Sequence, residues 1–346
     1  QVLADLMSTP LRSADIEECL RRTSRWMERA VRGRNGRTLP GLYFGRTGTA
    51  WALSSAAIAL DDQELANDAR ALILSAPVTW GNPDMTHGLA GVGTAHLAML
   101  RHRHDALAEA RARYAAEEVL RAAEVVDGEY IWPIRQTSPA AETDQSHLGF
   151  AHGVAGMGTF LLDAAEYFDD ERFRHGADMA ARTLAGRAIH RGDGPVDWPI
   201  GVLDRDADTR EVRWWCSGSG GIGAFLSRYA HVASDEEAAA LAMGAATACA
   251  EEDLLLMPGH CHGISGNAQL FLDVRQFLDP AGFTTEAHRS ARALLVRRIA
   301  TEHGLTFAND TGNRVSVSYG QGVTGPIAYL SRLLYGTPRP FTWNPS

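Results

Sequence analysis

Two short segments carry the side chains that are best suited to chemistry. Residues 214–218 and 260–263 each place a cysteine two positions before a glycine. Two thiols, Cys216 and Cys261, and the imidazole of His262 in matching register could together hold one metal ion. Thiolates with imidazole select zinc over magnesium or calcium, and three protein ligands leave one tetrahedral position open for catalysis. We therefore predict a catalytic zinc site at these three residues.

The donor set also indicates what such a zinc ion would do. Two thiolates neutralise the charge of Zn²⁺, so the metal is a weaker Lewis acid than one held by three histidines and is less suited to generating hydroxide. It is better suited to holding an incoming thiol as a nucleophilic thiolate. The sequence therefore favours thiol alkylation. His260 is an alternative ligand, although it lies further from the register that the two cysteines share.

The glycine that follows each cysteine belongs to an internal repeat. A Gly-x-x-Gly pattern heads six apolar stretches with helical spacing, which begin at Gly45/Gly48, Gly88/Gly91, Gly153/Gly156, Gly218/Gly221, Gly263/Gly266 and Gly322/Gly325. If the repeats are equivalent, the residues just before each first glycine lie at the N-termini of inner helices. They should then face the same mouth of the fold.

Counting back from the first glycine places three histidines and one carboxylate at that mouth. His87, His152 and His262 stand one residue before a first glycine, and Asp84 stands four residues before one. A zinc ion offers no proton, so thiol addition needs a group nearby that titrates close to neutral pH. We predict His152 as the acid/base residue and Asp84 as its partner in catalysis, with His87 next in line.

The glycine-headed helices alternate along the chain with charged, amphipathic ones. The apolar helices are predicted near 46–60, 89–103, 154–168, 220–232, 264–278 and 323–335. The amphipathic helices are predicted near 15–32, 62–75, 105–126, 171–188, 235–252 and 285–301. Six inner and six outer helices indicate an all-α fold, an α/α toroid, and an unclosed solenoid is the structural rival. The match among the repeats predicts a single domain over residues 1–346.

Three segments depart from this alternation. Residues 127–151 and 189–216 are long, aromatic and punctuated by Pro and Gly, so we expect short strands or ordered loops over one mouth of the toroid. The tail 338–346 is predicted to be irregular.

Composition restricts the possible partners and setting. The 346 residues are 45% hydrophobic, enough for a large core, and the net charge of -9 argues against nucleic acid or an anionic membrane as partner. No apolar stretch approaches the roughly 18 residues of a membrane span. Four cysteines do not make a disulfide scaffold, and we expect Cys19 and Cys249 to be buried packing thiols. A reducing, cytoplasmic location fits all four.

These residues and motifs together resemble those of the lanthionine synthetase C-like cyclases. The resemblance runs from about Gly41 to Leu334 and depends on the glycine-headed helices together with segments 151–156, 215–218, 261–263 and 319–322. Segment 42–50 is most similar to the cyclase domains fused behind lyase and kinase domains. One of the two fused kinds lacks the zinc ligands, so this sequence, with all three, resembles the class IV lanthipeptide synthetases.

The resemblance implies a zinc enzyme of lanthipeptide biosynthesis, on a toroid with up to seven repeats. Such an enzyme adds cysteine thiols of a dehydrated precursor peptide to dehydroalanine or dehydrobutyrine and so closes thioether rings. By motif, Cys216, Cys261 and His262 carry over as zinc ligands, and His152 and Asp84 carry over as catalytic residues.

The resemblance also implies residues that contact the substrate, for which we predict Arg213, His87 and Tyr319. Stand-alone cyclases have an arginine four residues before the first zinc cysteine, where this chain has Val212 and places Arg213 one step later. The chain opens on Gln1, so we expect it to be part of a longer protein with covalently linked lyase and kinase domains.

Three other functions are compatible with parts of the pattern. The same zinc could activate glutathione's thiol, although the fused-type N-terminal motif favours a peptide substrate. The toroid could be a non-catalytic peptide-binding scaffold, but the intact ligand set counts against this. A toroidal glycosidase or terpene cyclase would need a paired-carboxylate or aspartate-rich site, which Asp84 alone does not supply.

Overall fold

The chain folds into alternating inner and outer helices. The structure is a computed structural model, and it describes residues 1–32, 39–135, 146–201, 212–252, 256–312 and 314–343. The inner helices are α1 (Val2–Leu6), α3 (Arg46–Leu60), α5 (Leu89–Leu100), α7 (Val154–Phe168), α9 (Ser219–Ala233), α11 (Ile264–Phe277) and α13 (Thr324–Tyr335). The outer helices are α2 (Ala14–Arg32), α4 (Gln63–Leu74), α6 (Ala106–Arg121), α8 (Glu171–Gly186), α10 (Glu236–Glu252) and α12 (Thr284–Val296).

The inner helices form a closed ring. Each glycine-headed helix contacts the next one along the chain, from α3 to α13, and the short α1 contacts both α13 and α3. Helix α1, which the repeat pattern did not reveal, therefore occupies a seventh inner position and closes the circle. The fold is an α/α toroid, as predicted, and the open solenoid is excluded.

Close backbone packing explains the Gly-x-x-Gly repeat. A Cβ atom on the second glycine would lie within 1.8 Å of the Leu42 carbonyl oxygen at Gly48, and within 1.8 Å of the His260 carbonyl oxygen at Gly266. In all six repeats that carbonyl belongs to the residue six positions earlier. Only glycine lets the preceding loop fold back against the first turn of its own helix.

A chain of backbone hydrogen bonds joins these loops around the mouth. Each bond links the residues two positions before the first glycines of neighbouring repeats: Tyr43 N–H to Thr86 O, Thr86 N–H to Ala151 O, Ala151 N–H to Cys216 O, Cys216 N–H to Cys261 O and Cys261 N–H to Gly320 O. Donor–acceptor distances run from 2.7 to 3.4 Å. The repeats are therefore structurally equivalent, as assumed from the sequence, and both cysteines lie on one continuous rim.

Helical hairpins connect inner to outer helices through a short, repeated turn. Helices α3, α7 and α9 end on Asp61, Asp169 and Ser234 in the left-handed conformation. An aspartate follows each of them and caps the next helix; Asp62, for example, accepts from the Leu65 N–H at 3.0 Å. Such caps satisfy N–H groups that a helix start leaves unpaired. The turn thereby fixes each outer helix against its inner partner.

Three short β-hairpins lie between the helices. Two of them occupy residues that were predicted to be helical, so two predicted helix ends were placed too late. Helix α6 ends at Arg121 and not near 126, because residues after it form β1 (Glu124–Val126) and β2 (Glu129–Ile131). Asp127 and Gly128 both have positive φ, which suits a tight two-residue hairpin turn. Helix α12 likewise stops at Val296 rather than near 301, because β5 (Ile299–Thr301) pairs with β6 (Gly304–Thr306).

The third hairpin lies in a segment where strands or loops were expected. Strands β3 (Ile189–His190) and β4 (Val196–Asp197) pair within 189–216, and β2 falls within 127–151. Parts of these two segments, residues 136–145 and 202–211, lie outside the described residues.

The tail that follows α13 is irregular over its described part and enters the toroid. Arg339 is 6% exposed and pairs with Asp273 of α11. Phe341 packs against Tyr43 and Tyr319, with ring centroids 5.3 and 5.1 Å away. The tail therefore contacts the underside of the rim.

One of the two predicted packing thiols is not buried. Cys249 of α10 is buried, as expected, whereas Cys19 of α2 is exposed. The buried side of α2 carries Leu20 and Ser24, so its neighbour Cys19 points to solvent. In the described part of the chain, no helix has the length and apolar character that crossing a membrane requires.

Candidate active site

Cys216, Cys261 and His262 come together on the rim. One Sγ from each cysteine and one ring nitrogen of His262 all lie within 4.8 Å of one another. Cys261 Sγ and His262 Nε2 are 3.5 Å apart. Cys216 is buried, and the other two residues are partly exposed. The structure thus assembles the three predicted metal ligands from two adjacent repeats.

One spacing within the cluster can be compared directly with a tetrahedral zinc ion. Zn–S and Zn–N bonds of about 2.3 and 2.0 Å at tetrahedral angles put a sulfur and a nitrogen ligand roughly 3.5 Å apart. The separation of Cys261 Sγ from His262 Nε2 matches that value. His260 does not join the cluster; it is 1% exposed, and its ring packs between Trp215 and Tyr319. The alternative ligand is therefore not favoured.

The three side chains shift one another's pKa values. Hydrogen bonding from the Cys261 thiol, and then from His262, lowers the pKa of Cys216 well below its usual value, although burial opposes this. The pKa of Cys261 is raised, because its proton bonds to Cys216 and the thiol is buried. The Asp310 carboxylate, followed by Cys216, raises the pKa of His262 to about 10. Negative charge is therefore more favourable on Cys216 than on Cys261.

Asp310 is a site residue that the sequence did not reveal. Its Oδ2 lies 3.3 Å from His262 Nδ1, on the ring edge opposite the thiols. It belongs to the loop after β6, far from any glycine repeat, so neither register nor motif pointed to it. Ser217 lies within segment 215–218 but was given no role there; its hydroxyl donates to Cys216 Sγ at 3.4 Å.

His152 and Asp84 form a tight pair on the neighbouring loops. His152 Nδ1 is 2.7 Å from Asp84 Oδ2, and Asp84 is 1% exposed. Burial lowers the pKa of His152, but the Asp84 hydrogen bond and charge outweigh it and raise that pKa overall. The other Asp84 oxygen accepts from the His87 N–H at 2.6 Å. Because Nδ1 is committed to Asp84, Nε2 is the nitrogen of His152 that can exchange a proton.

The two groups of residues are adjacent on the rim. Ala151, which precedes His152, donates its backbone N–H to the Cys216 carbonyl oxygen at 2.9 Å. The thiolate form of Cys216 also contributes to the raised pKa of His152. The His152–Asp84 pair and Cys216 therefore lie on neighbouring loops of the rim, as the repeat register predicted.

His87 lies at the same mouth, next to His152. Its ring stacks on His152 with centroids 5.5 Å apart and on Phe44 with centroids 5.2 Å apart. Burial lowers the pKa of His87, so the ring is neutral near pH 7. Phe44 is 67% exposed, so an apolar surface extends from the histidines to solvent.

Tyr319 and Arg213, the other two residues predicted to bind substrate, lie in different surroundings. Tyr319 packs under the rim with its hydroxyl 3.4 Å from His260 Nε2. Arg213 forms a two-point ion pair with Asp197 at 2.9 and 3.0 Å and donates to the Ala248 carbonyl oxygen and to Glu251. The guanidinium thus joins β4 to the end of α10, and the structure does not bring it into the cysteine cluster.

Comparison with known proteins gives the family. A family model for lanthionine synthetase C-like proteins matches residues 12–344. The chain belongs to this family. A relative of this lanthionine synthetase C-like chain, a probable SapB synthase from Streptomyces coelicolor, is 26% identical over 312 residues. That match covers 90% of this chain but 31% of the relative, so the chain spans under a third of that protein's length.

Solved structures share the toroid. Nisin cyclase superposes with a TM-score of 0.72 at 17% identity, covering 99% of this chain and 87% of that one. The unsaturated glucuronyl hydrolase of Bacillus sp. GL1 gives 0.57 at 14% identity, with 86% and 87% covered. An α-1,6-mannanase from Salegentibacter sp. HEL1_6 gives 0.56 at 14%, with 83% and 86% covered. At such identities the likeness shows the fold alone.

Proposed function

We propose that this chain is a zinc-dependent lanthipeptide cyclase, which adds cysteine thiols of a dehydrated precursor peptide to dehydroalanine or dehydrobutyrine. The observation that carries the proposal is the cluster of Cys216, Cys261 and His262 beside the His152–Asp84 pair, on a toroid of the lanthionine synthetase C-like family. At this mouth the carboxylates of Asp84 and Asp310 each bond an imidazole, and two thiols lie together beside one of these imidazoles. This arrangement suits thiol chemistry better than glycoside hydrolysis, which needs two carboxyl groups flanking the scissile bond.

The protein's own residues have distinct tasks in this reaction. Cys216 Sγ, Cys261 Sγ and His262 Nε2 would hold zinc, which when bound keeps an incoming thiol in its nucleophilic thiolate form. In the addition, the peptide sulfur forms a bond to the β-carbon of the dehydro residue, and the double-bond electrons pass to the α-carbon and its carbonyl. The thiol's proton is released, one proton is added at the α-carbon, and no atom is lost.

His152 is suited to delivering that proton. Asp84 holds Nδ1, so a protonated His152 keeps Nε2–H for the transfer. The raised pKa keeps a larger share of the imidazole protonated near neutral pH than an isolated histidine would have. The neutral ring of His87 and the exposed ring of Phe44 are suited to contacting the peptide. Roles for Arg213 and Tyr319 in binding substrate, and the cytoplasmic location, stay predictions.

We further propose that the working protein is larger than this chain. The low coverage of the SapB synthase relative supports additional domains, for which linked lyase and kinase domains are our proposal. The toroid itself, with its closed ring of inner helices, would be a single domain. These partners would supply the dehydro residues that the toroid consumes.

A peptide with one dehydroalanine and one cysteine tests the function directly. Ring closure leaves the mass unchanged, so iodoacetamide labelling followed by mass spectrometry distinguishes open peptide, which gains a label, from closed peptide, which does not. We expect this chain to close the ring faster than buffer or the Cys261→Ala variant does. Closure at the rate of buffer alone would contradict the proposal, and preferential addition of glutathione supplied beside the peptide would favour the glutathione-adding activity.

A further inference from the structure

We propose that Asp310 is a positioning residue that fixes the tautomer and the ring orientation of His262. The inference rests on the proposed zinc site and assigns a task to a residue that neither the repeats nor the motifs mark.

The two nitrogens of His262 face different partners. Nδ1 lies 3.3 Å from Asp310 Oδ2, and Nε2 lies 3.5 Å from Cys261 Sγ. A carboxylate accepts hydrogen bonds, so it favours the tautomer with a proton on Nδ1. In the neutral ring that a metal ligand requires, the lone pair of Nε2 is then left on the side of the Cys261 thiol. The opposite tautomer would place a proton where a ligand bond to a metal must form.

A pinned hairpin loop presents the carboxylate. Ala308 bridges to Val315, and the Asn309 N–H donates to the Arg314 carbonyl oxygen at 2.7 Å. The Arg314 N–H returns a bond to Asn309 Oδ1 at 3.2 Å, and the Gly312 N–H donates to the Asn309 carbonyl oxygen at 2.8 Å. Asp310 therefore projects from a hydrogen-bonded turn, which fixes the position of its backbone relative to His262.

The loop before His262 leaves room for this carboxylate. A Cβ atom at Gly259 would lie 2.4 Å from Asp310 Oδ1, so a side chain there would displace the acid. In the described part of the chain that oxygen is buried without a hydrogen-bond partner. A buried unpaired acceptor is unfavourable for stability. The contact of Asp310 Oδ2 with His262 Nδ1 gives a reason for burying this carboxylate.

The histidine ring is also held from a second side. Trp214 packs edge-on against it, with ring centroids 4.9 Å apart. Packing alone restrains the ring plane but does not distinguish one nitrogen from the other. The carboxylate makes that distinction, since a hydrogen bond to one ring nitrogen of a ligand histidine fixes which nitrogen is left for the metal. Removing such a partner costs about 10- to 100-fold in metal affinity in characterised sites.

Zinc affinity measured by competition with a chromophoric chelator tests the proposal. We expect Asp310→Ala to weaken zinc binding about 10- to 100-fold. Asp310→Asn should recover part of the loss, because its amide oxygen still accepts from Nδ1–H. Asp178→Asn is the matched control, since that carboxylate bonds the Tyr229 hydroxyl away from the rim, and it should bind zinc as the parent does.

A double-mutant cycle separates positioning from a general effect on the loop. In a His262→Ala background, Asp310→Ala should cause no further loss of zinc affinity, because its effect passes through the ring. In ¹⁵N-histidine NMR of the zinc-loaded protein, the Nδ1–H signal of His262 should be protected in the parent and exchange rapidly in Asp310→Ala. An unchanged affinity in Asp310→Ala, or an equal loss with and without His262, would overturn the proposal while leaving the zinc site intact. Failure of the parent to bind zinc would overturn both.

Discussion

Replacing Asp84 by Asn should reverse the hydrogen bonding of His152. The backbone N–H of His87 donates to one Asp84 oxygen at 2.6 Å and can only donate. In Asp84→Asn the amide oxygen must therefore accept from the His87 N–H. The NH₂ group of the asparagine then faces His152 Nδ1. In the native protein that position is filled by an oxygen 2.7 Å away. His152 would then have to accept at Nδ1 and, when neutral, carry its proton on Nε2.

The size of the effect follows from the lost charged hydrogen bond. Hydrogen bonds to charged groups contribute about 1.5–3 kcal/mol, and this one is almost fully buried on the Asp84 side. That energy corresponds to roughly a 10- to 150-fold fall in the ratio of protonated to neutral His152 at a given pH. The pKa of His152 should fall, and ring closure should slow by about 10²–10⁴ if His152 is the acid/base residue.

Proton NMR of the His152 ring, followed against pH, measures the first effect. Because folding raises the pKa of His152, the pair stabilises the native state fully below the unfolded value of about 6.5, and this contribution is lost as pH rises through the folded pKa. The stability difference between parent and Asp84→Asn should therefore shrink over that range. An unchanged titration of His152 in Asp84→Asn would refute the reasoning.

Three further predictions concern the metal, the proton donor and the glycine repeat. Cys261→Ala should lose zinc by metal analysis yet keep its helical circular dichroism, because packed repeats rather than the ion build the core; retained zinc would count against the site. His152→Asn should keep zinc but close rings slowly, with a flatter pH dependence between roughly 6 and 8; full rates would transfer the role to another group. Gly266→Ala, whose Cβ would lie 1.8 Å from the His260 carbonyl oxygen, should lose about 1–3 kcal/mol or more in denaturant unfolding. Gly194→Ala, with its nearest neighbour at 3.6 Å, is the control and should change stability by under about 0.5 kcal/mol.

The helix positions and the meeting of Cys216, Cys261 and His262 could be predicted, because the repeat fixes where each helix begins and which residues precede it. Each first glycine marks where a loop folds against its own helix, so counting back from Gly218 and Gly263 located the two cysteines on one rim. The same count placed Asp84 and His152 on adjacent loops, where they meet at 2.7 Å. Residue type and register were sufficient, because the close packing of the loops leaves little freedom.

Features that depend on contacts between distant segments were not predictable in this way. Asp310 reaches His262 from a hairpin outside the repeat, so no spacing links them. Arg213 was predicted from the family resemblance to contact substrate, and its ion pairs with Asp197 and Glu251 could not be read from the sequence. The end of α6 was placed too late because Asp127 and Gly128 form a hairpin turn that interrupts a helix-like pattern.

Ring closure by the metal-stripped and restored chain tests the central claim most directly. The chain would be freed of zinc with a chelator, assayed on the peptide bearing one dehydroalanine and one cysteine, and assayed again after one equivalent of zinc is returned. We predict that labelling-resistant, closed peptide forms with the untreated and restored chain and that the stripped chain and a restored Cys216→Ala variant match buffer. Equal closure with and without zinc, or closure by the restored Cys216→Ala variant at the parent rate, would contradict a zinc-dependent cyclase at this site.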